Sequence, residues 1–314
     1  MKVVALAGGV GGAKLVDGIA QILPPEAFSI IVNTGDDLEY LSMKISPDLD
    51  TVCYTLANLA NPETGWGQKD ETWQTFDAVA NLDGSAWFRL GDKDLATHLV
   101  RTTRLESGEK LSEITADFLR CWGVGHAVYP MSDDPVRTIV HTKSGEALGF
   151  QEYFVHQACQ PEVRSFEFLG IEEAQPVPKA IDAIKGCDLI IFSPSNPWVS
   201  IDPILAVPGI KKLITEKPVI VVSPLVRGKA LKGPAAKMYA ELGIEPCALE
   251  VAKHYHDVLA GFVFDTQDAE ELEKIERWRI IPLVTDIVMK NRQDRVRLAE
   301  EVLDFGEQIL NRSR

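Results

Sequence analysis

The stretch ALAGGVGGAK, Ala5 to Lys14, sets four glycines between an apolar run and a segment with helical spacing. The run before it, Val3-Val4-Ala5-Leu6-Ala7, has the length and β-branched content of a short buried strand. Leu15, Ile19, Ile22 and Leu23 recur with the period of a helix. The glycines therefore mark a strand-to-helix turn, where free N–H groups and the helix dipole favour an anion, usually phosphate. Gly9-Val10-Gly11-Gly12-Ala13-Lys14 follows the dinucleotide pattern G-x-G-x-x-G until Lys14 stands where the last glycine belongs. A P-loop needs Gly-Lys-Ser/Thr, and Lys14 lies between Ala13 and Leu15. What remains is either a third kind of phosphate turn, with Gly9, Val10, Gly11, Gly12 and Lys14 as contacts, or an ordinary tight connection.

Outward from this turn, apolar runs with strand character recur at Phe28–Val32, Ala127–Tyr129, Leu189–Phe192, Val219–Val222, Phe262–Phe264 and Ile280–Val284. Helical patterns separate many of them, at Lys179–Lys185, Pro234–Leu242 and Arg295–Leu310 among others. Such alternation predicts an α/β fold, a Rossmann-like, mostly parallel sheet with helices on both faces. From about Asp50 to Gly125 the patterns at Asp50–Leu59, Asp92–Arg104 and Leu111–Trp122 are helical and no strong strand interrupts them. The expected organisation is residues 1–50 as the first part of the α/β domain, 51–125 as a helical insertion and 126–314 as its remainder. Strand-like segments between about Arg137 and Leu169 without clear intervening helices predict a β-meander or an extension of the sheet there.

The 314 residues, 46% hydrophobic and 25% charged, read as a globular protein. The sequence opens directly on a strand and has no apolar stretch near the roughly 18 residues of a membrane span, so a cytoplasmic protein without a membrane partner is expected. Five scattered cysteines with no C-x-x-C spacing indicate neither a zinc site nor a disulfide framework. A net charge of −14 argues against nucleic acid as a partner.

In an open α/β sheet the ligand lies beyond the carboxyl ends of the strands. Four such ends stand out: the glycine turn; Asn33-Thr34-Gly35-Asp36-Asp37; Ser193-Pro194-Ser195-Asn196-Pro197; and Ser223-Pro224 with Arg227, Lys229 and Lys232 behind it. Asp36, Asp37, Asp48 and Asp50 crowd near the proposed phosphate turn. Acid beside phosphate is repulsive unless a hard divalent cation such as Mg²⁺ lies between them. The competing reading makes some of these aspartates helix or turn caps. Ser193, Ser195 and Asn196 are held by two prolines as candidate contacts to a nucleotide. Trp87-Phe88-Arg89 offers aromatic surface beside a guanidinium, suited to a planar ring or to plain core packing. His254-Tyr255-His256-Asp257 looks like a ligand cluster, but residues two apart on a helix do not share a face.

Together, Gly8–Lys14, Asn33–Asp37, Ile45–Thr51, Trp87–Asp92, Ser193–Pro197 and Gly228–Pro234 resemble, in order, the 2-phospho-L-lactate transferase family of coenzyme F-420 biosynthesis. The resemblance implies a Rossmann-like domain with a helical insertion, a Mg²⁺ requirement and frequently a homodimer. It also implies transfer of a phosphoacid group from a guanosine diphosphate-linked three-carbon acid to the ribityl hydroxyl of the deazaflavin Fo, releasing GMP. Deazaflavin contacts fall on Asp50 and Arg89, with Trp87 beside them. Lys229 joins the phosphate contacts. Asp36, Asp37 and Asp50 are the expected metal ligands, and Asp50 and Asp36 the candidate catalytic groups. A related family with the same glycine turn leaves a non-catalytic, nucleotide-sugar-binding regulator as the alternative.

Overall fold

The computed structural model describes residues 1–230, 233–278 and 280–312; Lys232, one of the basic residues noted above, lies outside them. Seven strands form the central sheet: β1 (Val3–Ala7), β2 (Phe28–Val32), β3 (Ala127–Pro130), β4 (Leu189–Phe192), β5 (Val219–Val222), β6 (Gly261–Asp265) and β7 (Ile281–Thr285). Their spatial order is β3-β2-β1-β4-β5-β6-β7, and every neighbouring pair is parallel. Alternate residues of β1 feed different cores: Val4 and Leu6 join the cluster on one face, Val3, Ala5 and Ala7 that on the other. A strand buried on both faces must read as a continuous apolar run, which is why these strands were legible.

One face is covered by α1 (Gly9–Ala20), α2 (Pro47–Leu56) and the C-terminal helix Arg292–Arg312, through Leu15, Ile19, Leu49, Val52, Val302 and Phe305. Helices Pro178–Gly186, Ala235–Glu241 and Ala248–His254 cover the other. Between β2 and β3 the chain makes a small hairpin, Leu38–Tyr40 with Met43–Ile45, then α2, α3 (Gln74–Asn81), α4 (Asp92–Glu106) and α5 (Leu111–Cys121). The strand-like segments form a separate antiparallel sheet and not a meander: Arg137–Thr142 lies between Ala147–Gly149 and Val163–Leu169, because the chain crosses to the other side of the first strand before the third. The chain runs outward from β1 through β2 to β3, then crosses back to β4 beside β1. That reversal opens a crevice at the carboxyl ends of β1 and β4, where doubly wound sheets bind ligands.

Candidate active site

The glycine turn and the loop after β4 are locked together at this crevice. Gly8 donates its N–H to Ser195 Oγ at 3.1 Å, and that hydroxyl donates back to the Gly8 carbonyl at 2.8 Å. Gly11 permits the closest approach: a Cβ there would collide with the Pro194 carbonyl oxygen, and one on Gly12 would come within 2.6 Å of Ser195 Oγ. Gly9 adopts φ +61°, a left-handed conformation that glycine takes without strain. Its N–H points at Asp48 Oδ1, 2.7 Å away. Val10 and Gly11 follow in the first turn of α1, where N–H groups have no carbonyl one turn back.

The other phosphate candidates have varied surroundings. Lys14 lines the cavity and donates from Nζ to the Met289 carbonyl at 2.8 Å. Asn196 also borders the cavity, but its side chain caps the next turn by accepting from Trp198 N at 3.1 Å. The Ser193 hydroxyl is buried without a hydrogen-bond partner. Lys229 lies on an exposed two-residue strand outside the cavity wall.

The four aspartates occupy distinct environments. Asp48 accepts from Gly9 N–H and from Asn33 Nδ2, the latter at 2.9 Å. Burial nevertheless pushes its carboxyl up to about 6, against those two bonds. Asp36 has one oxygen buried without a partner. Burial raises its carboxyl well above the usual range, and the Asp48 charge raises it further. Asp37, pushed by burial up to about 7 against a hydrogen bond from Ser46 Oγ at 2.7 Å, stands behind the wall. Asp50 differs from all three. Arg101 Nη1 donates to its Oδ2 at 3.0 Å and Nη2 to its Oδ1, so a guanidinium grips both oxygens.

Among the described residues, Asp36, Asp37 and Asp50 are not gathered into a metal-binding set, and no three His, Cys, Asp or Glu side chains are arranged as one. The pair able to hold a hard cation is Asp36 with Asp48. Both line the cavity, both are buried, neither has a salt-bridge partner among the described residues, and Asp36 carries an oxygen with no hydrogen-bond partner among them. Two carboxylates plus phosphate and water oxygens suit Mg²⁺.

These groups face one cavity of about 860 Å³ onto which all four expected strand ends converge. Aromatic side chains line the same cavity. Trp87 stacks on His156, with ring centroids 5.0 Å apart and planes at 16°. Arg89 lies over the Trp73 ring at 3.9 Å. Trp66, Phe150 and Phe154, which sequence reasoning missed, border the same space. Asn33 was also missed; its amide ties Asp48 to the Val199 carbonyl at 3.0 Å. The available signal was a polar residue placed directly after a buried strand. His254 and His256 form no joint site, His254 being bound to Asp202 at 2.9 Å.

A doubly wound parallel sheet whose switch point opens on a cavity lined by a glycine turn, buried acids and aromatic rings defines a Rossmann-type protein with a candidate ligand site there. Comparison with known proteins narrows this class. The profile of 2-phospho-L-lactate transferase CofD matches residues 3–303. A phosphoenolpyruvate transferase of Streptomyces griseus is 42% identical, covering 98% of this chain and 99% of the relative. A 2-phospho-L-lactate transferase of Methanopyrus kandleri is 40% identical, with 99% of each covered. The chain belongs to the 2-phospho-L-lactate transferase family and is a transferase of coenzyme F-420 biosynthesis. A solved UPF0052 family protein of Bacillus halodurans has the same fold, with a TM-score of 0.63 over 96% of this chain and 98% of its own, at 15% identity. Among the described residues no helix is long and apolar enough to cross a membrane.

Proposed function

We propose that the protein moves a phospholactyl-type or phosphoenolpyruvyl-type group from a guanosine diphosphate-linked donor to the ribityl hydroxyl of the deazaflavin Fo. The hydroxyl oxygen attacks the phosphorus bearing the acid; the bond from that phosphorus to the bridging oxygen breaks, GMP leaves, and the hydroxyl proton is released. The observation that supports this most directly is one cavity lined both by the glycine turn and by several aromatic rings. The turn would offer the first-turn N–H groups of Val10 and Gly11 to a diphosphate, the rings a stacking surface to a tricyclic acceptor.

The residues act chiefly by positioning, as suits phosphoryl transfer. Ser195 and Asp48 hold the glycine turn from either side, so its free N–H groups meet the phosphates without rearrangement. Asp36 and Asp48 would hold Mg²⁺, which supplies neutralisation of the charge that builds on the diphosphate as its bond breaks. Trp87 and Arg89 would flank the acceptor ring, and Asp50 would accept a hydrogen bond from it. A homodimer in solution is part of the proposal and is checked by light scattering.

The test is mass spectrometry of the product after incubating Fo, Mg²⁺ and, separately, the lactyl and enolpyruvyl guanosine diphosphate donors. A deazaflavin carrying the phosphoacid, with GMP in equal amount, is the expected result and identifies the acid. Tight nucleotide binding with no product from either donor refutes the reading and favours the regulator.

A further inference from the structure

Asp50 and Arg101 form an ion pair between helices, buried but set at the edge of the cavity. Asp50, on α2, is 6% exposed and lines the cavity; Arg101, on α4, is 2% exposed and lies behind it. The guanidinium is in turn held from behind. His98 Nδ1 lies 3.3 Å from Arg101 Nη1, and its Nε2 lies 3.4 Å from Asp94 Oδ1. Tyr54 donates its hydroxyl to the same Asp94 oxygen at 2.7 Å. With its lone pair on Nδ1, His98 accepts from Arg101, so the guanidinium donates to Asp50 on one side and to His98 on the other; Asp94 accepts from Tyr54 and lies near His98 Nε2 without a hydrogen bond to it.

Joining two helices does not require this chain. Apolar side chains of similar volume would join α2 to α4 as well or better, since desolvating both ions offsets most of their attraction. What the fork provides is a carboxylate of fixed orientation at the cavity surface, with lone pairs left over.

We propose that Arg101, braced by His98, is a positioning residue that holds Asp50 as an oriented acceptor for the deazaflavin substrate and keeps it from acting as a metal ligand. This rests on the reading that the acceptor meets Asp50. Arg101 itself touches no substrate.

The test compares Asp50→Asn, Arg101→Lys and their combination, by steady-state kinetics in each substrate and by thermal melting. Arg101→Lys keeps the charge and loses the fork. It should raise the KM for Fo about 10-fold or more, the scale of a charged hydrogen bond, while leaving the KM for the donor and the Mg²⁺ requirement unchanged. In the Asp50→Asn background the same change should add nothing to the Fo KM. An Fo KM raised by Asp50→Asn but not by Arg101→Lys overturns the positioning role alone. An Fo KM untouched by Asp50→Asn instead overturns the reading beneath it. Equal losses for both substrates with a lowered melting temperature mean a merely structural pair and also overturn the proposal. If Arg101→Lys does not fold, His98→Gln removes the brace and keeps the ion pair. It should raise the Fo KM about 3-fold, the scale of a neutral hydrogen bond; no change refutes the bracing.

Discussion

Gly11→Ala inverts the usual effect of a glycine-to-alanine change in a helix. Gly11 sits in the first turn of α1 and is not among the glycines of positive φ, so its backbone conformation suits alanine. Restricting the unfolded chain at such a position ordinarily stabilises by about 0.4–1 kcal/mol. Here the added methyl group would collide with the Pro194 carbonyl oxygen, a backbone atom that cannot rotate away. Overpacking of that kind costs about 1–3 kcal/mol. The net expectation is destabilisation of about 1–2 kcal/mol, which at about 2–4 °C per kcal/mol is a fall of several degrees in Tm. Gly186, at the end of helix Pro178–Gly186, is the control, because a Cβ there meets nothing within 4 Å. Gly186→Ala should be neutral or slightly stabilising. Because Pro194 precedes the serine that locks Gly8, relaxation at Gly11 also moves the phosphate turn, so calorimetry should show weaker GDP binding in Gly11→Ala only. A Gly11→Ala protein as stable as its parent, with GDP affinity intact, would refute the close approach and the role built on it.

Asp48→Asn should leave the protein folded by circular dichroism, since the amide oxygen can still accept from Gly9, yet lower transfer at least about 100-fold at saturating Mg²⁺; near-parental rates would remove Asp48 from the metal pair. Exhaustive EDTA treatment should abolish transfer, with Mg²⁺ or Mn²⁺ restoring it, because both accept hard oxygen ligands; full activity in the metal-free enzyme would leave only cationic side chains to neutralise the donor. Trp87→Ala should raise the KM for Fo about 10-fold and barely affect the donor, base–aromatic stacking contributing about 1–3 kcal/mol per ring; equal changes for both substrates would place Trp87 in plain packing against Tyr40 and His156.

The sheet was legible because burial on both faces forces unbroken apolar runs such as Leu189–Phe192, and the turns between them carry residues with strong local preferences. The hairpin Leu38–Tyr40 with Met43–Ile45 was not legible. Its two turn residues, Leu41 and Ser42, hold φ of +50° and +60° without the Asn-Gly or Gly-Gly pair that announces such a turn. Helix α3 has only eight residues and buries none of them fully, so its short apolar stripe of Phe76 and Val79 is too brief for periodicity to announce it. In the site, the glycine turn and the acids were readable as residue types, but their partners were not. Asp50 meets Arg101 across 51 positions and Gly8 meets Ser195 across 187, distances over which no spacing rule operates.

What separates the four aspartates is the company each keeps rather than its type. Asp50 is matched by a guanidinium that grips both of its oxygens. Asp37 faces a serine hydroxyl, with Arg137 and Arg101 further off, and lies outside the cavity wall. Asp36 and Asp48 have only amide donors beside them, and Asp48 makes ionisation of Asp36 harder still. A fold that buries two such acids side by side, with no salt-bridge partner for either among the described residues, carries an electrostatic cost that helix capping does not explain, because a cap needs one carboxylate and not two. That cost falls once a divalent ion or a proton arrives. Since both acids open onto the same cavity as the glycine turn, an ion that relieved them would, on the proposed reading, also stand where it could meet the donor.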